Sequence, residues 1–167
     1  MAATVEISET NGAGATVTDG ISNSNMGSTD AANLDPVANP VAPGGNTYEK
    51  YQRIHVTNMG GSSSIQNLQV WRSGALGGAA VHKTNARTTT YGGAATYATP
   101  VSTASTGATQ TMPTSAPGAA NLGIGGSLTG TLTAVGYSDY LIHQIQTNAG
   151  DTAGSTSTMN YQYDEIA

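Results

Sequence analysis

The stretch that decides the fold is KYQRIHVTN, residues 50–58. In an extended chain Ile54 and Val56 point to one side, whereas Arg53 and His55 point to the other. This alternation with a period of two residues is typical of a β-strand with one face buried and one face polar. A Met-Gly-Gly turn follows at once and ends the segment. The sequence therefore predicts a strand here, with its apolar face turned toward a core.

Shorter stretches of the same alternation recur along the chain, and turn residues separate them. No segment has the length and spacing of an amphipathic helix. This pattern favours an all-β fold: an antiparallel β-sandwich of immunoglobulin-like or jelly-roll-like type, formed as one domain over residues 1–167. The last two strands are predicted to form a hairpin. The further predicted strands or hairpins are residues 4–8, 15–18, 65–72, 80–84, 122–135, 140–147 and 157–165.

Composition excludes several classes of protein. Charged residues are 9% of the chain, the formal net charge is −5, and there is no Cys. The acidic balance argues against a nucleic-acid binder, and the lack of Cys excludes disulfides and thiolate chemistry. No window reaches the roughly 20 apolar residues of a membrane span. Residues 1–10 lack a basic residue and an apolar run, so we expect no signal peptide.

The charges are unevenly distributed. Six of the ten acids precede residue 50, and all five bases lie within residues 50–87 with no acid among them. This segregation predicts that the basic segment packs near acidic flanks in the same or a neighbouring subunit. With so few charges, chance scatter is the alternative. The predicted basic interface face consists of Arg53, Arg72, Lys83 and Arg87.

Two segments, residues 20–46 and 88–120, have little to bury. The first is rich in Asn, Ser, Pro and Gly, and the second has no charge. A disordered linker is one interpretation. The other, which we favour, is a long extended arm that becomes ordered on a neighbouring subunit, because a neutral segment can pack without desolvating an ion. The predicted contact residues of the second arm are Tyr91, Tyr97, Val101 and Met112.

No reactive motif is present. The three histidines are far apart in sequence and match no metal-binding spacing, and the adjacent Asp164 and Glu165 point to opposite faces of a strand. We therefore predict no catalytic residue, no metal ligand and no cofactor. We favour the interpretation that Trp71 covers one end of the sandwich and that the Tyr residues serve as core aromatics; an aromatic platform for a sugar, formed by Trp71 and Tyr51, is the alternative.

Two parts of the chain resemble virion structural proteins of tailed bacteriophages. They are residues 46–58 with 64–71 (NTYEKYQRIHVTN and SIQNLQVW), and residues 140–146 with 159–166 (YLIHQIQ and MNYQYDEI). The resemblance is one of strand pattern and composition. It implies a β-sandwich that decorates or cements a capsid, or sits in a tail, and it brings no functional residues.

The sequence thus predicts a non-enzymatic virion protein, made in the host cytoplasm and incorporated into the virion. Its expected partners are the major capsid protein, or other virion proteins, and further copies of itself. No nucleic acid and no membrane are expected as partners. A carbohydrate- or receptor-binding module, and a tail or adaptor subunit, are the alternatives.

Overall fold

The computed structural model describes residues 1–86, 96–152 and 154–167. These residues form an all-β protein whose strand pairs are all antiparallel, as predicted. The described ranges contain no helix that is long and apolar enough to cross a bilayer. The strands are β1 (Thr4–Asn11), β2 (Thr16–Thr18), β3 (Lys50–Asn58), β4 (Ser64–Ser73), β5 (Val81–Thr84), β6 (Gln110–Thr111), β7 (Gly136–Tyr137), β8 (Leu141–Gln146) and β9 (Thr158–Ile166).

The larger sheet has the strand order β2-β1-β3-β8-β5-β6, with β7 also paired to β3. The decisive strand β3 lies in its middle, between β1 and β8. Ile54 and Val56 are fully buried, while Arg53 and His55 are only partly buried. The predicted two faces of this strand are confirmed.

Among the described residues, the smaller sheet consists of β4 and β9. Its register shifts between Gln66 and Gln69, where β4 carries one residue more than β9. Asn67 lies in this bulge with φ of 53°, a left-handed conformation that Asn tolerates better than most residues. The bulge keeps Leu68 and Val70 on the buried face despite the extra residue.

Both sheets contribute to one hydrophobic core. Ile54 and Leu141 come from the larger sheet, and Leu68 and Val70 come from the smaller one. Two sheets that bury their apolar faces against each other are compatible with the predicted sandwich. The immunoglobulin-like or jelly-roll-like subtype and the single-domain assignment stay predictions.

The predicted hairpin of the last two strands is wrong. β8 pairs with β3 and β5 in the larger sheet, whereas β9 pairs with β4 in the smaller one. The connection between them runs over residues 147–157, which is longer than the two to five residues of an ordinary hairpin loop. It is long enough to carry the chain from one sheet to the other.

The strand or hairpin predicted for residues 122–135 is also wrong. This segment consists of turns with two isolated bridges, Ile124 to Ser127 and Leu132 to Ile65. Gly125 and Gly126 adopt φ of 59° and 82°, which breaks the extended conformation. The apolar residues of the segment still serve the core, since Leu122 is buried and Leu132 packs against the same cluster.

Candidate functional site

The strands of the larger sheet support two irregular segments, residues 20–46 and 96–109, which we call the loop layer. The predicted arms therefore do not extend away from the body: their described parts are held on their own chain. Asn46 donates its amide to Thr103 O at 3.2 Å, which joins the two segments directly. Side chains of this chain hold both segments, and the predicted contact of the segments with a neighbouring subunit stays a prediction.

Glu49 holds the second segment. One of its carboxylate oxygens accepts backbone N–H bonds from Thr106, Gly107 and Ala108, each at 2.8 Å. The other oxygen accepts the Thr106 hydroxyl at 2.5 Å. Glu49 is 2% exposed, so its charge is compensated almost entirely by these donors. The carboxylate thus fixes the backbone of the loop at three successive residues.

Asp30 links the first segment to the second. Its carboxylate accepts bonds from the Asn11 amide, the Gly12 N–H and the Tyr97 hydroxyl, all at 2.7 Å. Burial and the bond to Asp30 raise the pKa of Tyr97, so the phenol stays protonated and continues to donate. Tyr97 also packs edge-to-face on Tyr51, with ring centroids 5.0 Å apart.

Lys50 and Glu9 form a buried ion pair beneath the loop layer. The Lys50 Nζ atom lies 2.9 Å from Glu9 Oε1, and the two side chains are 1% and 2% exposed. Lys50 also donates to the carbonyl of Ala31 in the loop layer. Ser24 of the same segment and Gln52 donate to the second oxygen of Glu9, at 2.9 and 3.2 Å. The pair therefore anchors residues 20–46 on the sheet, and it confirms for this one contact the predicted packing of a base against an early acid.

Sequence reasoning missed these buried charges, although a signal was present. Glu9 has the same parity as Val5 and Ile7 on β1, and Lys50 has the same parity as Ile54 on β3. A charge at an apolar position of a strand is turned toward the interior and requires a partner. Two such charges of opposite sign on adjacent strands predict a buried pair.

Three of the four predicted basic residues lie within the described part of the chain, on three strands of two sheets. The Arg53 guanidinium on β3 stacks over the rings of Tyr137 and Tyr140, at 3.9 and 4.4 Å from their centroids. Arg72 on β4 donates to the carbonyl of Gly74, and Lys83 on β5 is partly buried. Arg87 and Tyr91 lie outside the described residues. At the end of β9, Asp164 accepts the Asn67 amide, and Glu165 accepts the Ser62 hydroxyl and the Ala3 N–H.

The remaining predicted contact residues divide into buried and exposed ones. Met112 is 1% exposed within the core, so it is corrected from an interface residue to a core residue. Tyr51 is 4% exposed beneath Tyr97, which excludes it as an open sugar platform in this fold. Trp71 is partly buried on β4, in the other sheet. Val101 is 85% exposed in the loop layer.

A buried pair of histidines lies between β5 and β8. His82 Nε2 and His143 Nδ1 are 3.0 Å apart, and the outer ring nitrogens of both residues have no hydrogen-bond partner within the described residues. Burial, the facing ring and Arg72 lower the pKa of His82 to about 2. Burial and Lys50 lower the pKa of His143 to about 3. Both rings are therefore neutral at physiological pH.

One surface cluster combines groups that are able to bind a metal ion. His55, Glu6 and Asp19 place one ligand atom each within 4.8 Å of one another. His55 Nδ1 lies 3.0 Å from Glu6 and 3.4 Å from Asp19, and the ring stacks on Tyr137 at 4.0 Å. Glu6 lies on β1, His55 on β3, and Asp19 directly follows β2, so hydrogen bonding between neighbouring strands accounts for this geometry.

Comparison with known proteins gives no relative. No family model matches the chain, and neither the curated proteins nor the solved structures contain a match.

Proposed function

We propose that this chain is a non-enzymatic virion structural protein, most specifically a capsid decoration or cement subunit, and that it binds its partner through the loop layer. The observation that supports this role is the use of buried and partly buried charges to fix irregular loops. Glu49, Asp30 and the Glu9–Lys50 pair all hold residues 20–46 or 96–109 in place.

This arrangement suits a surface for recognition. Burying charged groups is costly unless each is fully paired, and a loop that only connects two strands needs no such anchors. A loop that is already rigid loses little conformational entropy when it binds. The loops thus lose most of their conformational entropy during folding, and they lose little more on binding.

The composition of the loop layer suits a protein partner. Residues 96–109 carry no charge, so contact with them desolvates no ion. Val37 and Val101 are 86% and 85% exposed, one on each segment, and offer apolar contact area. Repeated copies on a particle would add such modest contacts together through avidity.

The partner is proposed to be the major capsid protein, with a tail or adaptor position as the variant of the same role. The test is cosedimentation with emptied capsids of the phage that carries this chain. We expect Val37→Asp/Val101→Asp to reduce binding at least about tenfold, since both valines would be buried against the capsid. Val135→Asp is the matched control, because Val135 is 60% exposed outside the loop layer. Equal binding by the double variant and the control would refute the loop layer as the contact.

A carbohydrate-binding role is the second candidate, and one groove supports it. A groove of about 530 Å³ beside the β4 bulge is lined by polar groups of Asn67, Gln69 and Asp164, with Leu128 as an apolar contact. Amides and carboxylates of this kind bind sugar hydroxyls. Loss of glycan-array binding in Gln69→Ala would support this role. Trp71 is not among the lining residues, so a loss in Trp71→Ala alone would place the sugar elsewhere.

A further inference from the structure

The smaller sheet has one covered edge and one open edge. Residues 113–132 cover the free side of β4: Arg72 N–H donates to Pro113 O at 2.9 Å, and the Asn121 side chain bonds both backbone groups of Val70 at 2.8 Å. Within residues 1–86, 96–152 and 154–167, no strand or loop makes backbone hydrogen bonds to the other side of β9.

This open edge lacks the features that protect other edges. β9 is nine residues long and contains no Pro, Gly or Lys. The bulge of the sheet lies on β4, so β9 itself is uninterrupted. The edge strands of the larger sheet, β2 and β6, have only three and two residues. Short edges, bulges and lysines are the usual means of preventing strand addition, and β9 has none of them.

The edge is also held rigidly in place. The Tyr161 hydroxyl donates to Gln52 Oε1 of β3 at 2.6 Å, which ties β9 to the larger sheet. Met159, Tyr161 and Tyr163 pack against the core, while Gln162 and Asp164 are exposed on the outer face. A strand that is uninterrupted and tied to its own core needs little rearrangement to accept another strand.

We infer that β9 pairs antiparallel with β9 of a second copy of this chain across a two-fold axis at Gln162, forming a continuous four-stranded sheet β4-β9-β9-β4. This inference concerns a surface other than the loop layer, so it stands or falls independently of the proposed capsid contact.

Charge distinguishes the two directions in which a second copy could pair with β9. The only charges of β9 are Asp164 and Glu165, both near its end. With the axis at Gln162, Asp164 lies opposite Asn160 of the second copy and Glu165 lies opposite Met159. A parallel, in-register pair would instead place Asp164 against Asp164, and like charges directly opposite destabilise a sheet.

Register selects the position of the axis. The N–H and C=O groups of alternate β9 residues point toward its open edge. Such a residue forms hydrogen bonds only if the residue opposite it in the second copy also turns its N–H and C=O groups toward that edge. An axis through a residue meets this condition, whereas an axis midway between two residues does not. The axis at Gln162 pairs all nine residues, and the four pairs formed by the outward residues 159, 161, 163 and 165 exchange two bonds each, which gives about eight backbone hydrogen bonds.

The test uses a cysteine, because the chain has none of its own. In Gln162→Cys the two introduced thiols would face each other with Cβ atoms about 5 Å apart, close enough for a disulfide after small adjustment. We expect mild oxidation of this variant to give a covalent dimer in high yield. Thr57→Cys, at an exposed position of β3, is the matched control and should stay uncrosslinked.

Sedimentation equilibrium of the unmodified chain supplies the second measurement. We expect a reversible dimer, and Gln162→Lys should raise its dissociation constant at least about tenfold because two lysines would then face each other. Gln110→Lys on β6 is the control and should leave it unchanged. A chain that stays monomeric up to ~100 μM, or a dimer that Gln162→Cys does not crosslink, would overturn the inference.

Discussion

The buried pair His82 and His143 makes the protein acid-sensitive in a defined range of pH. The folded protein keeps both rings neutral, with pKa values lowered to about 2 and about 3. In the unfolded chain both rings take up a proton near the ordinary pKa of about 6.5. Because the unfolded state binds more protons, the free energy of unfolding falls as the pH falls below about 6.5, and it continues to fall toward pH 3.

The size of the effect follows from these values. Lowering the pH from 7.5 to 5 stabilises the unfolded chain by about 2 kcal/mol per histidine, or about 4 kcal/mol for the pair. Carboxylates with ordinary pKa values protonate mainly below this range. With a urea dependence of about 2 kcal/mol per molar, the unfolding midpoint should fall by roughly 2 M.

The assay is urea unfolding at pH 7.5 and pH 5, followed by tyrosine and tryptophan fluorescence. His82→Leu/His143→Leu should lose most of the pH-dependent shift, whatever its stability at pH 7.5. His55→Gln is the control, since His55 lies outside the pair, and it should keep the shift. NMR of the folded wild type supplies a test that needs no variant. Titration of the His82 and His143 ring signals between pH 7.5 and 5 would refute the reasoning.

Three further substitutions test the anchors of the loop layer. Lys50→Met leaves Glu9 buried without its cation and should lower the free energy of unfolding by about 3–5 kcal/mol, measured by urea unfolding; an effect below about 1 kcal/mol would contradict a buried ion pair. Glu49→Gln keeps the shape but removes the charge that accepts four donors. It should cost about 1–3 kcal/mol and speed amide exchange at residues 106–108, with exchange in β9 as the internal reference. Gly107→Ala would place a Cβ 2.5 Å from Ile142 Cδ1 and should lower the free energy of unfolding by about 1–3 kcal/mol, measured by thermal unfolding. Gly118→Ala is the control: its Cβ would lie within 4 Å of no atom, so the loss should be less than about 1 kcal/mol.

Much of the strand content was predictable because alternation is a local property. Residues 50–58 and 65–72 were assigned correctly to β3 and β4, with the buried faces as expected. The prediction failed at residues 122–135, where glycines interrupt the extended chain although the apolar spacing continues. Apolar side chains can reach the core from turns as well as from strands, so spacing alone could not separate the two.

The candidate site was less predictable than the fold. Residues 20–46 and 96–109 look weakly foldable by composition, because they hold few apolar groups. Their order comes from acids and hydrogen bonds that join residues far apart in sequence, such as Asp30 and Tyr97, which are 67 positions apart. Such contacts cannot be predicted from the sequence around each residue. The exceptions are the charged residues at apolar positions of β1 and β3.

The sequence by itself determined that the chain is all-β, where most of its strands lie, and which side of each long strand is apolar. Only the tertiary structure decided which strands pair, since β9 joins β4 rather than the neighbouring β8. The physical reason is that a two-residue period specifies a buried face but not a partner, because every extended strand offers the same backbone donors and acceptors. Partners are chosen by closure of the shared core and by the pairing of Lys50, Glu9 and Glu49 with distant groups, both of which depend on the folded chain as a whole.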